Sequence, residues 1–226
     1  MKEVNVEEMA SFFDVRAQGY DQHMRDNIQG FESYYEFLAK PLEGQSQPIQ
    51  ILDLGCGTGL EFPYLLQAAP HASITGMDLS AGMMQEGAKA HKGLEDRITW
   101  KQASYVTDDL GHQAYEVVIS SMTMHHFFVL EKRKIYQKIY AAVKPGGMYI
   151  EGDYMVSPEM EMEALAYYFE QAGDLKEADK GKFHLDIPFT VDKQVMLLKS
   201  VGFDSVRVIY RTNNNAILVA KKAEKA

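Results

Sequence analysis

Acidic residues and glycines lie together where two predicted strands end. The apolar run of residues 51–54 contains Asp53 and leads into a G-x-G-x-G turn over residues 55–59. The next predicted strand, residues 72–78, ends in Asp78. Glycines let the backbone of such a turn approach a ligand, and a carboxylate one strand over accepts hydrogen bonds from ribose hydroxyls. The spacing therefore predicts a nucleoside-binding site.

The glycine spacing also distinguishes between nucleosides. Dinucleotide-binding proteins use G-x-G-x-x-G, which places a pyrophosphate at a helix N-terminus, whereas Leu60 occupies the sixth position here. Asp53 would repel a pyrophosphate but suits a positively charged ligand such as S-adenosylmethionine (SAM). Residues 51–61 resemble motif I of the class I SAM-dependent methyltransferases, and Asp78 falls where that family holds the ribose.

The resemblance implies roles for residues around the cofactor. Asp53 would anchor the ammonium of SAM, directly or through water, while Leu79 and Met83 would lie against the adenine. Residues 13–21 resemble a pre-motif in which a tyrosine closes over SAM, and Ser104 stands where the family often has an adenine-binding aspartate. The predicted cofactor-binding set is Tyr20, Asp53, Gly55, Cys56, Gly57, Gly59, Asp78, Leu79, Met83, Ala103, Ser104 and Ser120.

Candidate catalytic residues follow the later strands. Methyl transfer from a sulfonium is an in-line displacement that requires alignment and exclusion of water, with a general base only where the acceptor is protonated. The predicted catalytic residues are His125, His126 and Glu151, and the further candidates are Asp153, His184 and Asp186. The histidines could instead cap a helix or pack in the core, and the carboxylates could be solvated. The pair His184-x-Asp186 lacks an evident third ligand, so no metal site is predicted.

Hydrophobic periodicity supplies the elements that position these residues. Strands alternate with helices, which implies a parallel sheet with right-handed crossovers, and the last two strands predict an antiparallel hairpin. The predicted strands are residues 49–54, 72–78, 97–102, 115–121, 148–153, 205–210 and 216–221. The resemblance implies the strand order 3-2-1-4-5-7-6. We therefore predict an α/β fold with a seven-stranded, mostly parallel, doubly wound sheet and an antiparallel C-terminal hairpin.

Two segments interrupt or precede this alternation. Residues 1–47 are a helical, aromatic-rich lead-in, and residues 155–190 contain an inserted helix and a polar stretch. The resemblance implies that both fold over the sheet and form the acceptor pocket. We predict a single domain over residues 1–226, with the SAM-binding core at residues 48–222, the lead-in as a helical lid and residues 155–190 as a substrate-lid insertion.

Composition narrows the classes of partner. The net charge of −9 argues against nucleic acid, because affinity for it depends on neutralising phosphates. Cys56 is the single cysteine and is interpreted as a small residue that fits the tight turn. The sequence shows neither the apolar stretch of a signal peptide near its start nor an apolar run long enough to span a membrane. We therefore expect a cytoplasmic, Rossmann-like protein without membrane contact, either monomer or homodimer.

The sequence thus predicts a SAM-dependent methyltransferase that acts on a small-molecule acceptor by in-line displacement, leaving S-adenosylhomocysteine. One alternative is a SAM-using enzyme of tRNA wobble modification, similar to carboxy-SAM synthases. Such an enzyme would need a cationic side chain near the sulfonium, for which Arg16 is the candidate. Another alternative is a SAM-binding protein without catalysis. An NAD-dependent oxidoreductase is disfavoured by Leu60 and by the acidic strand end.

Overall fold

The computed structural model describes residues 7–172 and 182–224. Three short helices and a 3-10 turn at Lys40–Leu42 precede a sheet whose strands alternate with helices. The helices are α1 (Met9–Arg16), α2 (Tyr20–Asn27), α3 (Phe31–Ala39), α4 (Phe62–Ala68), α5 (Ala81–Ala90), α6 (Val129–Ala142), α7 (Pro158–Ala172) and α8 (Val191–Ser200). The strands are β1 (Gln50–Leu54), β2 (Ser73–Asp78), β3 (Ile98–Gln102), β4 (Tyr115–Ser121), β5 (Val143–Tyr154), β6 (Ser205–Arg211) and β7 (Asn215–Lys221).

The sheet has the predicted strand order, β3-β2-β1-β4-β5-β7-β6. Strands β1 to β5 pair in parallel, whereas β7 pairs antiparallel with both β5 and β6. The predicted mostly parallel α/β sheet with an antiparallel hairpin is therefore confirmed. Because parallel strands end at the same edge, Asp53, Asp78 and Ser121 are all carried to one side of the molecule.

Strand β5 begins earlier than the predicted Met148. Val143 already pairs with Tyr115, and the register then shifts before Val117 pairs with Met148. A Cβ on Gly147 would lie 2.6 Å from the carbonyl oxygen of Glu116. Gly147 therefore allows a close approach between two strands, and the ladder continues through the irregularity.

Both faces of the sheet are covered, as its apolar strands require. One face packs against α3 and α4, with Ile51 and Ile119 in the same buried cluster as Tyr34 and Phe62. The other face packs against α6 and α8 in a second cluster. Strand residues alternate between these two clusters, so the side to which a charged strand residue points decides whether it can reach the site.

Local capping fixes the helix that follows β2. Ser80 is its N-cap, and the Ser80 hydroxyl accepts a hydrogen bond from the Met83 amide at 3.0 Å. The inserted helix is present as α7, whereas part of the predicted polar stretch, residues 173–181, lies outside the described residues. Among the helices that are described, none has the length and hydropathy that crossing a bilayer requires. The division into lid and core remains a prediction.

Candidate functional site

The glycine turn after β1 adopts a backbone that only glycine accommodates readily. Gly55, Gly57 and Gly59 have φ values of 68°, 52° and 73°. A Cβ on Gly55 would lie 2.6 Å from the Thr123 hydroxyl oxygen, and one on Gly57 would lie 3.0 Å from the Met83 methyl carbon. The turn therefore packs closely against its neighbours and carries no side chains at these glycines. A ligand can for that reason approach its backbone directly.

Asp78 organises this turn from the end of β2. Its two carboxylate oxygens accept hydrogen bonds from the amides of Gly57 and Ser80, both at 2.8 Å. Burial raises the pKa of Asp78, although these backbone donors oppose the rise. A carboxylate oxygen has capacity for more than one hydrogen bond, so Asp78 can hold the turn and still accept from ligand hydroxyls.

Two further acidic side chains are buried beside the turn, and neither forms an ion pair with a described residue. Asp53 is fully buried, and both its carboxylate oxygens lack a hydrogen-bond partner in the described part of the chain. Glu61, the residue before α4, is 3% exposed. Burial, and then the charge of Glu61, raise the pKa of Asp53 well above its usual value. An uncompensated pair of this kind is costly in the free protein and suits a ligand that brings a cation.

A small cavity lies in front of the turn, and we call it the glycine-turn cavity. It has a volume of about 50 Å³ and is lined by residues that include Gly55, Gly57, Asp78, Met83 and Tyr105. Helix α1 covers it, since Met9 and Phe13 line the same space. Pockets for small molecules usually measure about 300–1,000 Å³. Helix α1 must therefore move before a nucleoside can enter.

Asp14 holds helix α1 against the start of α5. Its Oδ1 accepts hydrogen bonds from the Ser80 hydroxyl at 2.5 Å and from the Gly82 amide at 2.9 Å. A Cβ on Gly82 would lie 3.1 Å from the same oxygen, so the two helices approach closely here. We call these two hydrogen bonds of Asp14 the latch. Since Ser80 also donates its amide hydrogen bond to Asp78, the latch and the residue expected to bind the ribose are both connected to Ser80.

Replacing Asp14 with alanine is expected to loosen α1. Loss of these exposed charge-assisted hydrogen bonds should cost about 1 kcal/mol, which raises the opening population about fivefold. Hydrogen–deuterium exchange across residues 9–16 would show the increase as faster uptake. Asp26→Ala, which removes an exposed carboxylate from α2, is the matched control and should leave that uptake unchanged. Equal protection of α1 in Asp14→Ala and the wild type would contradict the latch.

A second, larger space adjoins the first, and we call it the histidine cavity. Its volume is about 570 Å³, and its walls come from α1, α2, the segment after β4 and the segment after α7. Phe13, Tyr20 and Met122 line both cavities and form the boundary between them. Tyr20 thus lies beside the glycine turn, as the pre-motif implied, and can also contact a molecule in the histidine cavity.

Three histidines and an aspartate meet in the wall of the histidine cavity. Asp186 Oδ1 lies 3.2 Å from His126 Nδ1, 3.6 Å from His125 Nε2 and 3.8 Å from His184 Nε2. His125 and His126 are almost fully buried in a 3-10 turn that follows β4, whereas the Asp186 side chain is 53% exposed. The sequence singled out His125 with His126, and separately the pair His184-x-Asp186, and the structure brings the two pairs together.

The charges in this cluster influence one another. Burial opposes protonation of His125, but the adjacent carboxylate of Asp153 outweighs it and raises the pKa of His125. Burial and the neighbouring His125 lower the pKa of His126 to about 4. Burial would raise the pKa of Asp186, yet the surrounding histidines hold it well below its usual value. The cluster therefore combines an ionised carboxylate with at least one neutral imidazole at neutral pH.

The other predicted cofactor residues divide into two groups. Leu79 and Met83 line the glycine-turn cavity. Ala103 and Ser104 line neither cavity; the Ser104 amide donates to Asp108 at 2.7 Å. Ser120 is buried and its hydroxyl is hydrogen-bonded to that of Tyr149 at 2.6 Å, while Cys56 packs beneath the turn, against Gly76.

Glu151 is placed away from both cavities. It points to the face of the sheet covered by α6 and α8, where it accepts hydrogen bonds from the Tyr136 hydroxyl and the Gln194 amide. The structure thus does not bring Glu151 to the histidines with which it was grouped. The physical reason is its position along β5: Glu151 and Asp153 share the face that carries Tyr149, but Asp153, two residues nearer the end of the strand, is the one that reaches His125.

Two residues were missed by the sequence reasoning. Glu61 is the last residue of the stretch that resembles motif I, and no role was predicted for it. Its burial beside Asp53 follows only from the tight turn before it. Met122 lies at the boundary of the cavities with a φ of 51°, which is rare outside glycine and often marks functional sites. No local signal in the sequence predicts that conformation; its position at a strand end was the available clue.

Comparisons with known proteins agree with this geometry. Residues 51–147 match the family model described as a methyltransferase domain. The carboxy-S-adenosyl-L-methionine synthase of Helicobacter hepaticus is 26% identical over 83% of this chain and 82% of its own length. Phosphoethanolamine N-methyltransferase 1 of Zea mays is also 26% identical, over 87% of this chain but 36% of its own length.

A solved structure shows the same fold. Human N-acetylserotonin methyltransferase in complex with SAM superposes with a TM-score of 0.67 at 17% identity, covering 95% of this chain and 59% of the human one. At that identity the likeness concerns the fold. Together with the match of residues 51–147 to a methyltransferase domain and the confirmed strand order, it shows that the chain has the fold of the class I SAM-dependent methyltransferases.

Proposed function

We propose that this chain transfers the methyl group of SAM to a small-molecule acceptor bound in the histidine cavity. The observation that carries the proposal is the buried carboxylate of Asp53, which has no hydrogen-bond partner among the described residues, with Glu61 buried nearby and the Asp78-held turn beside it. A cavity of about 570 Å³ adjoins the cavity in front of this turn. A ligand with an ammonium, a ribose and a sulfonium complements all three features. The acceptor then needs only to approach the sulfonium from the histidine cavity.

The cofactor end of the site follows from charge and hydrogen bonding. The ammonium of SAM would compensate Asp53 and Glu61, and the ribose hydroxyls would donate to Asp78. Leu79 and Met83 offer apolar contacts for the adenine. Binding would also relieve the repulsion between buried carboxylates, so part of the affinity comes from a cost that the free protein already bears.

The acceptor end follows from the boundary between the two cavities. Phe13, Tyr20 and Met122 separate them, so the methyl group would cross this boundary when it moves from sulfur to the acceptor. Aromatic and thioether side chains exclude water from the boundary, and they do not compete with the acceptor for the methyl group as nucleophiles of comparable strength. Alignment and dehydration are the main requirements of such a displacement, and this boundary supplies both.

Calorimetric titration with SAM, S-adenosylhomocysteine and NAD tests the cofactor assignment. We expect the first two to bind and NAD not to bind. Asp78→Ala should weaken SAM binding about tenfold to a hundredfold, since hydrogen bonds to a charged group contribute about 1.5–3 kcal/mol. Asp96→Ala removes an exposed carboxylate outside both cavities and should bind SAM as the wild type does. Binding of NAD in place of SAM would overturn the proposal.

A carboxy-SAM synthase is a second candidate, favoured by the similarity to the Helicobacter hepaticus protein. Arg16, the cation that this reaction would use, lines the histidine cavity. Its guanidinium is already engaged with Glu7 at 3.0 Å and with the carbonyl oxygen of Phe12 at 2.9 Å. Mass spectrometry of the nucleoside that copurifies with the protein separates the two: SAM or S-adenosylhomocysteine favours a methyltransferase, whereas SAM carrying an added carboxyl group favours the synthase.

A further inference from the structure

The histidine cavity contains a convergence of metal-ligand types that methyl transfer alone does not require. His125 and His126 come from the turn after β4, and His184 and Asp186 come from the segment after α7. The ligand atoms of His125, His126 and Asp186 all lie within 4.8 Å of one another, and His184 Nε2 lies 3.8 Å from Asp186 Oδ1. A hydrogen bond of 2.6 Å from the Ile187 amide to the His125 carbonyl oxygen joins the two segments.

The separations from Asp186 are close to those around a bound ion. Ligand atoms about 2.0–2.2 Å from a tetrahedral zinc ion lie about 3.3–3.6 Å apart, and Asp186 Oδ1 is 3.2, 3.6 and 3.8 Å from the three histidine nitrogens. His126 Nδ1 is buried and forms no hydrogen bond within the described residues, although it lies 3.2 Å from Asp186 Oδ1. A ring nitrogen that lies this close to a carboxylate oxygen without a hydrogen bond to it leaves both atoms able to share an ion.

A buried carboxylate supports one of these ligands from behind. His125 Nδ1 donates to Asp153 Oδ1 at 2.5 Å, and the same oxygen accepts from the Tyr154 amide at 2.8 Å. This interaction fixes the His125 tautomer, because a hydrogen on Nδ1 leaves the Nε2 lone pair free on the side that faces Asp186. Metal-binding histidines characteristically have a carboxylate partner of this kind.

The remaining surroundings favour a borderline divalent ion. The donor set is three imidazoles and one carboxylate, which suits zinc, cobalt, nickel or ferrous iron better than magnesium or calcium. The ring of Phe12 stacks on His184 with centroids 3.6 Å apart, and Tyr154 packs against His125 at 4.8 Å. These rings limit the movement of the ligands, while the half-exposed Asp186 leaves the site accessible from the cavity.

We propose that His125, His126, His184 and Asp186 form a divalent metal site in the wall of the histidine cavity. Its role in the reaction rests on the proposed methyltransferase function: the ion would expand to five-coordinate and bind an oxygen of the acceptor as its fifth ligand, selecting acceptors with an ionisable hydroxyl group. Coordination lowers the pKa of such a hydroxyl, and its proton leaves to solvent. The oxygen forms a bond to the methyl carbon of SAM, and the electron pair of the broken S–C bond stays on sulfur.

Metal binding is measured directly on the untagged full-length chain after treatment with a chelator. Titration with Co²⁺ should give visible absorption bands of a four-coordinate site and saturate at one ion per chain, and Zn²⁺ should displace the Co²⁺. Asp186→Asn should weaken binding at least about a hundredfold, and Asp153→Asn about 10–100-fold, as expected for a partner behind a ligand. His112→Ala removes an exposed histidine outside the cluster and is the matched control.

The outcomes separate the two proposals. Asp186 is half exposed, so Asp186→Asn should remain folded, and its SAM affinity should stay within about twofold of the wild type because SAM contacts other residues. SAM binding without Co²⁺ binding, or Co²⁺ affinity unaffected by Asp186→Asn, would overturn the metal site and leave the methyltransferase standing. Co²⁺ binding in a protein that does not bind SAM would retain the metal site and remove its role in methyl transfer.

Discussion

Asp53→Asn is expected to weaken SAM binding by at least about a hundredfold while raising the melting temperature of the ligand-free protein at neutral pH. The first effect follows from removing a carboxylate that would pair with the ammonium of SAM. The second follows because wild-type Asp53 is fully buried with no hydrogen-bond partner in the described residues and lies beside Glu61. One substitution therefore has opposite effects on affinity and on stability.

The effect of Asp53 on the stability of the folded chain depends on pH. The folded-state pKa of Asp53 is raised above its unfolded value, so the folded chain holds a proton more tightly. The contribution of Asp53 to the free energy of unfolding is greatest at low pH. It is lost as the pH rises from the unfolded-state pKa toward the raised folded-state pKa. Asp53→Asn should remove part of this loss, giving about 1 kcal/mol at about pH 8, or about 2–4 °C in melting temperature.

Differential scanning calorimetry with and without SAM measures both effects on the same samples. The exposed Asp96→Asn is the matched control, because it removes the same charge from a site outside both cavities. A lower melting temperature in Asp53→Asn, together with unchanged SAM affinity, would show that Asp53 is a structural residue. Loss of affinity without a gain in stability would show that the pKa of Asp53 is not raised in the free protein.

Much of the fold was accessible from the sequence because its signals are local. The apolar runs and the G-x-G-x-G turn each depend on a few neighbouring residues, and the alternation of elements follows from the apolar runs. The strand order itself came from the family resemblance, since periodicity does not specify which strands pair. The start of β5 at Val143 was missed because the irregular pairing with Tyr115 is a property of two strands rather than one.

The site was less accessible because its residues meet across long stretches of chain. His126 and Asp186 are far apart in sequence, and their spacing in space depends on how the segment after α7 returns to the sheet. Glu151 lies apart from the histidines for a different reason. The sequence of β5 does not show which of its two carboxylates, Glu151 or Asp153, lies level with the turn after β4. The structure places Asp153 there, whereas Glu151 contacts Tyr136 and Gln194.

The placement of Glu151 leads to the second large effect, which concerns stability. Lys132 is 1% exposed on α6 and donates to Gln194 Oε1 at 3.4 Å, and the Gln194 amide donates in turn to Glu151. Burial, and then Asp153, raise the pKa of Glu151 to about 7, although the charge of Lys132 opposes the rise. Gln194 thus links a buried cation to a buried carboxyl group between the sheet and two helices.

Lys132→Met is expected to lower the free energy of unfolding by about 3–5 kcal/mol, because it leaves Glu151 without its compensating charge. The folded-state pKa of Glu151 is about 7 against an ordinary value of 4.5, so the folded chain binds the proton more tightly. Stability is therefore lost as the pH rises between these values. The damage in Lys132→Met should be larger at about pH 8 than at about pH 5, where Glu151 is protonated and neutral.

Urea unfolding of Lys132→Met, Glu151→Gln and the double variant at both pH values forms a double-mutant cycle. Glu151→Gln keeps an oxygen for the Tyr136 hydroxyl while removing the charge, so it should recover much of the loss when combined with Lys132→Met. The same Glu151→Gln protein, where folded, should bind SAM as the wild type does and form S-adenosylhomocysteine at an unchanged rate. Loss of turnover in stable Glu151→Gln would return Glu151 to the catalytic residues, because a purely structural charge affects folding and leaves the chemistry intact.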